Sequence, residues 1–185
     1  MSVNEKKRGR PNGKQSQLSA QSILEAAKSL MKRDSKTPSI RSLATELNVD
    51  PMAIYHYFKN KNALLEALTS SLVSEVYQPQ ADPDWQGELR RLCVSYIELL
   101  QQYNGLLQIM LGMTSLGPAQ IFTERYRSII APLALDEKTE KDSLDLLADY
   151  LHGFALSASC CHDAELIKPQ MMNGPLTLIC KSLET

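Results

Sequence analysis

Between Ser39 and Lys61 the chain reads SIRSLATELNVDPMAIYHYFKNK, a pattern that admits few folds. Ile40, Leu43, Ala44 and Leu47 recur at i, i+3, i+4 and i+7, which predicts one buried stripe on a helix that Ser39 caps with its hydroxyl. Asn48 follows at the turn, and asparagine tolerates the left-handed conformation better than most residues with a side chain. Asp50 then caps and Pro51 opens a second helix, because a fixed φ and a missing N–H are harmless at the first helical position. Ile54 and Phe58, four apart, face inward, which leaves Met52, Ala53, Tyr55, His56 and Tyr57 outside. Two short helices joined by a tight turn, the second with small, aromatic and imidazole groups outward, fit the major groove of duplex DNA. Met52 and Ala53 can approach thymine methyls, while Tyr55, His56 and Tyr57 can reach phosphate oxygens or base edges. Ser39 and Arg41, at the start of the first helix, and Lys61, at the start of the helix that Asn60 caps, complete the expected DNA-binding set.

The stretch LATELNV followed by IYHYFKNKNALLEAL resembles the N-terminal domain of the tetracycline-repressor (TetR) family of bacterial regulators. The resemblance covers about residues 17–68 and implies phosphate-contacting and base-contacting roles for Arg41, Met52, Ala53, Tyr55, His56, Tyr57 and Lys61. Asn48 stands where the family usually has glycine, and Pro51 and Met52 stand where polar residues often contact bases. The resemblance further implies a repressor that leaves a palindromic operator when a small-molecule effector binds its C-terminal domain.

Charge divides the chain in the same way. Residues 1–64 carry twelve Lys and Arg against five Asp and Glu, and residues 65–185 carry eight against sixteen. A positive end is drawn to a polyanion and a negative end is pushed from it, which orients the molecule on encounter. The positive excess begins in EKKRGRPNGK, Glu5 to Lys14, where no apolar period exists, so residues 1–17 are expected to be a disordered basic arm. Within it Arg8, Gly9, Arg10 and Pro11 resemble the core of an AT-hook, whose arginines enter the narrow minor groove of A·T-rich DNA.

The rest reads as helix throughout, so the predicted fold is all-α. A helix capped by Ser19, with Ile23, Ala27, Leu30 and Met31 inward, completes a three-helix DNA-binding domain over residues 18–64. A linking helix carrying Leu64, Leu65, Leu68, Leu72 and Val76 is expected to run to about Tyr77. It leads into a larger helical domain over residues 65–185, expected to bind the effector and to dimerise. Its helices are predicted over about 85–103, 106–113, 119–133, 137–161 and 175–183.

Reading a two-fold operator requires a two-fold protein, so a homodimer is expected. The candidate interface is the helix from about Glu137, where Leu144, Leu147, Leu151, Ala155 and Ala158 form a stripe and Gly153 permits close approach. Soft and aromatic residues available to line an effector pocket are Trp85, Tyr96, Tyr103, Met110, Met113, Phe122, Tyr126, Tyr150 and Phe154.

Other classes lack their parts. No run of eighteen apolar residues and no secretory signal is present, so a reduced cytoplasmic setting is expected for Cys93, Cys160, Cys161 and Cys180. Adjacent helix positions diverge, so Cys160, Cys161, His162 and Asp163 do not converge on one metal ion, and no cofactor is expected. No phosphate loop or nucleophile elbow supports an enzyme. An architectural DNA-binding protein with an AT-hook-like arm is the competing reading, but such a role does not require a large acidic helical domain.

Overall fold

The computed structural model describes residues 18–113, 117–161 and 167–184. The arm residues Arg8 and Arg10 lie outside these, as do His162 and Asp163. Among the described residues there are helices and no strands. They are α1 (Ala20–Asp34), α2 (Ile40–Leu47), α3 (Pro51–Tyr55), α4 (Lys61–Val73), α5 (Trp85–Gln102), α6 (Leu106–Leu111), α7 (Gly117–Ile130), α8 (Glu137–Cys160) and α9 (Asn173–Ser182). Short 3₁₀ turns follow α7 at Ala131–Leu133 and precede α9 at Pro169–Met172.

The helix starts are chemically explicit. Ser19 Oγ accepts from the Ser22 amide at 3.0 Å while Ser22 Oγ accepts from the Ser19 amide at 2.9 Å. Ser39 and Ser42 repeat the device at 3.0 and 2.9 Å. Each pair is a capping box in which serine replaces the usual Glu or Gln, satisfying two orphan donors reciprocally. Asn60 Oδ1 accepts from the Ala63 amide at 2.9 Å and starts α4.

Helices α1 to α3 pack on one another and on the first half of α4, with Ile23, Ala27, Met31, Leu43, Ile54 and Leu64 fully enclosed. Beyond them α5 is the central helix, packed by α7, α8 and α9. Its Leu89, Leu92, Cys93 and Ile97 are fully buried. One apolar core runs through both parts. Helix α4 belongs to both, since it packs on α1 at one side and on α6 and α7 at the other.

Two further contacts join the parts. Lys32 of α1 places its ammonium 4.9 Å from the ring centroid of Tyr103, just after α5. Gly105 takes φ +88°, and a side chain there would meet Thr37 Oγ1 at 3.6 Å in the loop before α2. This turn needs a residue that is at ease in the left-handed region.

Helix α4 stops at Val73, short of the expected Tyr77. The periodicity of Leu72 and Val76 continues past the true end because Val76 is buried without being helical. What replaces the next helical turn is a guanidinium from another helix: Arg125 of α7 donates to the carbonyls of Val73 at 3.1 Å, Val76 at 2.6 Å and Ser74 at 2.9 Å. Downstream, the Glu88 carboxylate is buried yet accepts from the Tyr77 hydroxyl at 3.0 Å, the Gln80 amide at 2.7 Å and Arg91. The Arg91 hydrogen bond, with those from Gln80 and Tyr77, holds this carboxyl below its ordinary range.

Candidate functional site

The tip of the head is the turn between α2 and α3. Asn48 sits at φ 52°, ψ 48°, the left-handed conformation expected of it. Its amide and that of Val49 turn back to the carbonyls of Thr45 at 3.2 Å and Ala44 at 2.9 Å, which closes α2. Asp50 Oδ1 then accepts from the Met52 amide at 2.8 Å, with Pro51 opening α3. Ile54 and Phe58 are buried as their spacing requires, so Met52, Tyr55, His56 and Tyr57 are exposed and Ala53 is half-covered. Met52 stands out most, at 65% exposure.

Around this helix the charged groups differ in how committed they are. Arg33 is engaged by Asp34 at 3.0 Å and Glu46 at 3.1 Å, and Lys28 by Glu75 at 2.6 Å. Arg41, on the first turn of α2, and Lys61, at the start of α4, are exposed and make no ion pair among the described residues. Helix N-termini beside cations make anion sites, so the exposed charges at the starts of α2 and α4 are suited to phosphates.

Two expected contact residues are placed otherwise. The Ser39 hydroxyl is occupied within its own cap, accepting from the Ser42 amide at 3.0 Å and donating to Ser42 Oγ at 3.0 Å. The Tyr57 hydroxyl donates to the Leu18 carbonyl at 2.6 Å, so its first task is to hold the foot of the arm against the end of α3. Helix α3 itself is shorter than the pattern implied, with His56 as its C-cap.

The candidate pocket residues separate into groups. Tyr96, Met110 and Phe122 converge: the Tyr96 and Phe122 rings are 4.9 Å apart and the Tyr96 hydroxyl lies 3.9 Å from Met110 Sδ. His152 of α8, which sequence reading did not place here, joins them through a 3.0 Å hydrogen bond between its Nε2 and the Tyr96 hydroxyl. Burial pushes the Tyr96 phenol up and pulls the His152 imidazole down, so both favour their neutral forms. Tyr103 turns away to Lys32, and the buried Tyr126 pairs with Ser143 at 2.7 Å. Tyr150 and Phe154 lie one turn apart on α8 with centroids 6.3 Å apart, and Trp85 is half-buried at the start of α5. Met113 lines a different space, a cleft of about 300 Å³ between α4 and α6 with Asn62, Leu65, Glu66, Gln108, Ile109 and Gly112.

Half of the expected dimer stripe faces inward. Leu147, Leu151 and Ala155 are buried within the chain, because α8 uses that face to pack on α5, and Leu144 is half-buried on the same core. Ala158 borders a cleft of about 290 Å³ with Leu100, Asn104 and Cys161. Gly153 is exposed, with open space where a side chain would stand. The outer face of α8 instead carries exposed Leu146 and Leu156, and exposed Met171 and Leu178 lie in and before α9.

Among the described residues no group of His, Cys, Asp and Glu could hold a metal ion, and no helix is long and apolar enough to cross a membrane.

Residues 23–68 match a family described as bacterial regulatory proteins, tetR family. Over 86 residues the chain is 36% identical to the class A tetracycline repressor from transposon 1721 of Escherichia coli, an alignment covering 45% of this chain and 39% of that protein. The chain thus spans less than half the length of the curated relatives it matches. The fold extends further. ActR from Streptomyces coelicolor, without ligand, superposes with TM-score 0.77 at 20% identity over 90% of this chain and 95% of that one, and its complex with actinorhodin with 0.76 at 19% identity over 91% and 96%. BioQ with its double-stranded DNA operator superposes with TM-score 0.73 at 19% identity, over 91% and 99%. The helix-turn-helix head, over residues 23–68, is thus similar to the tetR family of bacterial regulatory proteins, and the whole chain shares its fold with ActR and BioQ.

Proposed function

We propose that the protein is a transcriptional regulator of the repressor type, which binds a palindromic operator as a homodimer and leaves it when a small molecule occupies the C-terminal domain. The observation that carries this reading is the outer face of α3, where Met52, Tyr55 and His56 are exposed at a capped tip between Arg41 and Lys61. A head of that shape reads base edges with the start of α3 and grips phosphates on either side. The related repressor and the operator-bound BioQ fold support DNA as the partner. The basic arm, with Arg8 and Arg10, adds minor-groove contact, and the protein works in the cytoplasm without catalysing a reaction.

The effector binds at the cluster of Tyr96, Met110, Phe122 and His152. Its aromatic and thioether groups with one neutral phenol–imidazole pair suit a largely hydrophobic molecule carrying a hydrogen-bonding group, and the complex of the similarly folded ActR with actinorhodin supports a ligand in this domain. The dimer forms through the outer faces of α8 and α9, where Gly153 allows close approach and Leu146, Leu156 and Leu178 remain to be covered.

Selection of bound DNA from a random pool tests the reading. A discrete palindrome with half-sites about one helical turn apart is the expected product. Uniform, sequence-independent retention would favour the architectural alternative.

A further inference from the structure

We propose that Arg125 is the positioning residue that couples the C-terminal domain to the DNA-reading head. The proposal rests on the regulatory reading above and adds the element that would carry its signal. The last carbonyls of a helix lack intrahelical partners and form the negative end of its dipole. At the end of α4 the amides of residues 74–76 turn back to the carbonyls of Ser70, Leu72 and Val73, and one guanidinium from α7 reaches Val73 at 3.1 Å and the next exposed carbonyls, Ser74 at 2.9 Å and Val76 at 2.6 Å. Lysine has three N–H donors on a single nitrogen, whereas arginine spreads its donors over a planar fork, and here both terminal nitrogens are used.

Among the described residues no carboxylate pairs with Arg125. Burial pulls its pKa down, so its charge is balanced by helix-end carbonyls alone. An ion pair to a flexible carboxylate would survive a change in the path of α4. Three hydrogen bonds to carbonyls within one four-residue stretch of backbone survive only if the end of α4 moves with α7.

The same four residues are held from the other side. Glu75, between Ser74 and Val76, accepts from Lys28 of α1 at 2.6 Å. Segment 73–76 is therefore gripped by the head through a side chain and by the C-terminal domain through its carbonyls. On α7, Phe122 lies one helical turn before Arg125 and stacks 4.9 Å from Tyr96. A displacement at the Tyr96 and Phe122 cluster reaches the head through two charged contacts.

Because linkage is reciprocal, the coupling can be read without knowing the effector. The full chain is bound to DNA selected by the wild type, and amide exchange is followed in α7, residues 117–130. The expected result is slowing of α7 exchange by about fivefold or more on DNA binding in the wild type. In Arg125→Gln that slowing disappears, while residues 40–58 keep their protection by DNA. Arg125→Lys retains the charge but cannot span three carbonyls, so it also loses the α7 response, and it decides the matter if Arg125→Gln fails to fold. A wild type that binds DNA without protecting α7, or variants that protect it equally, overturn the coupling role alone. A wild type that retains no DNA overturns the functional reading beneath it.

Discussion

The hydroxyl of Tyr57 donates a 2.6 Å hydrogen bond to the carbonyl of Leu18, thirty-nine residues earlier. The exit of the reading helix and the entry to α1 are thereby tied at one point. Tyr57 is exposed and the Leu18 carbonyl remains accessible to water after truncation, so Tyr57→Phe is expected to cost only about 0.5–1 kcal/mol in urea unfolding. Its larger effect should be on DNA, where the arm loses its fixed point of departure. Equal operator affinity for the variant and the wild type would show that the tie serves folding alone.

Base reading and phosphate gripping are separable in the head. Lys61→Ala should weaken binding by a similar factor on all sequences and reduce the salt slope by about one. Met52→Ala should instead leave the salt slope in place and redistribute base preference within the selected half-site. A titration series against salt, on matched and mutated operators, distinguishes the two.

The inner face of α8 and the outer faces of α8 and α9 predict opposite phenotypes. Leu147 is fully buried inside the chain, so Leu147→Ala should destabilise by about 2–5 kcal/mol whether or not the protein dimerises. Leu178, 70% exposed, and Gly153 should tolerate Leu178→Asp and Gly153→Arg in the isolated subunit while lowering the sedimenting mass. Dimers that persist in both variants would move the interface elsewhere.

Burial holds His152 below its ordinary value of 6.5, against a smaller upward pull from Asp149. As pH falls, the unfolded chain takes up this proton before the folded one does. Stability from neutral His152 is therefore complete above pH 6.5 and is lost progressively below it. Urea midpoints at about pH 7.5 and about pH 5.5 should differ more in the wild type than in His152→Asn. An identical fall in both would remove His152 from the pH response.

Local chemistry made much of this molecule readable in advance. Ser19, Ser39 and Asn60 cap where their positions before apolar stripes require, and Asn48 adopts the turn conformation that its side chain permits. The reciprocal serines Ser22 and Ser42 were overlooked because a capping box is usually sought as Glu or Gln. Three outcomes depended on distant residues. The carbonyls at and just past the end of α4 are held by Arg125, some fifty residues away in sequence. Which aromatic meets which polar group is decided by the fold, as with Tyr96 and His152, fifty-six residues apart. Helix α8 has two apolar faces, and nothing in their spacing says which one the subunit keeps. Long-range packing gave the inner place to Leu147, Leu151 and Ala155.

Outside the shared core, the head touches the larger domain at two separated places. One is the end of α4, between Lys28 and Arg125; the other is where Lys32 covers Tyr103 and Gly105 stands against the loop at Thr37. Between them α4 is packed by both parts, so the head has no surface on which to slide independently of it. Any molecule that shifts α4 on the side of the larger domain shifts the base on which α3 is presented.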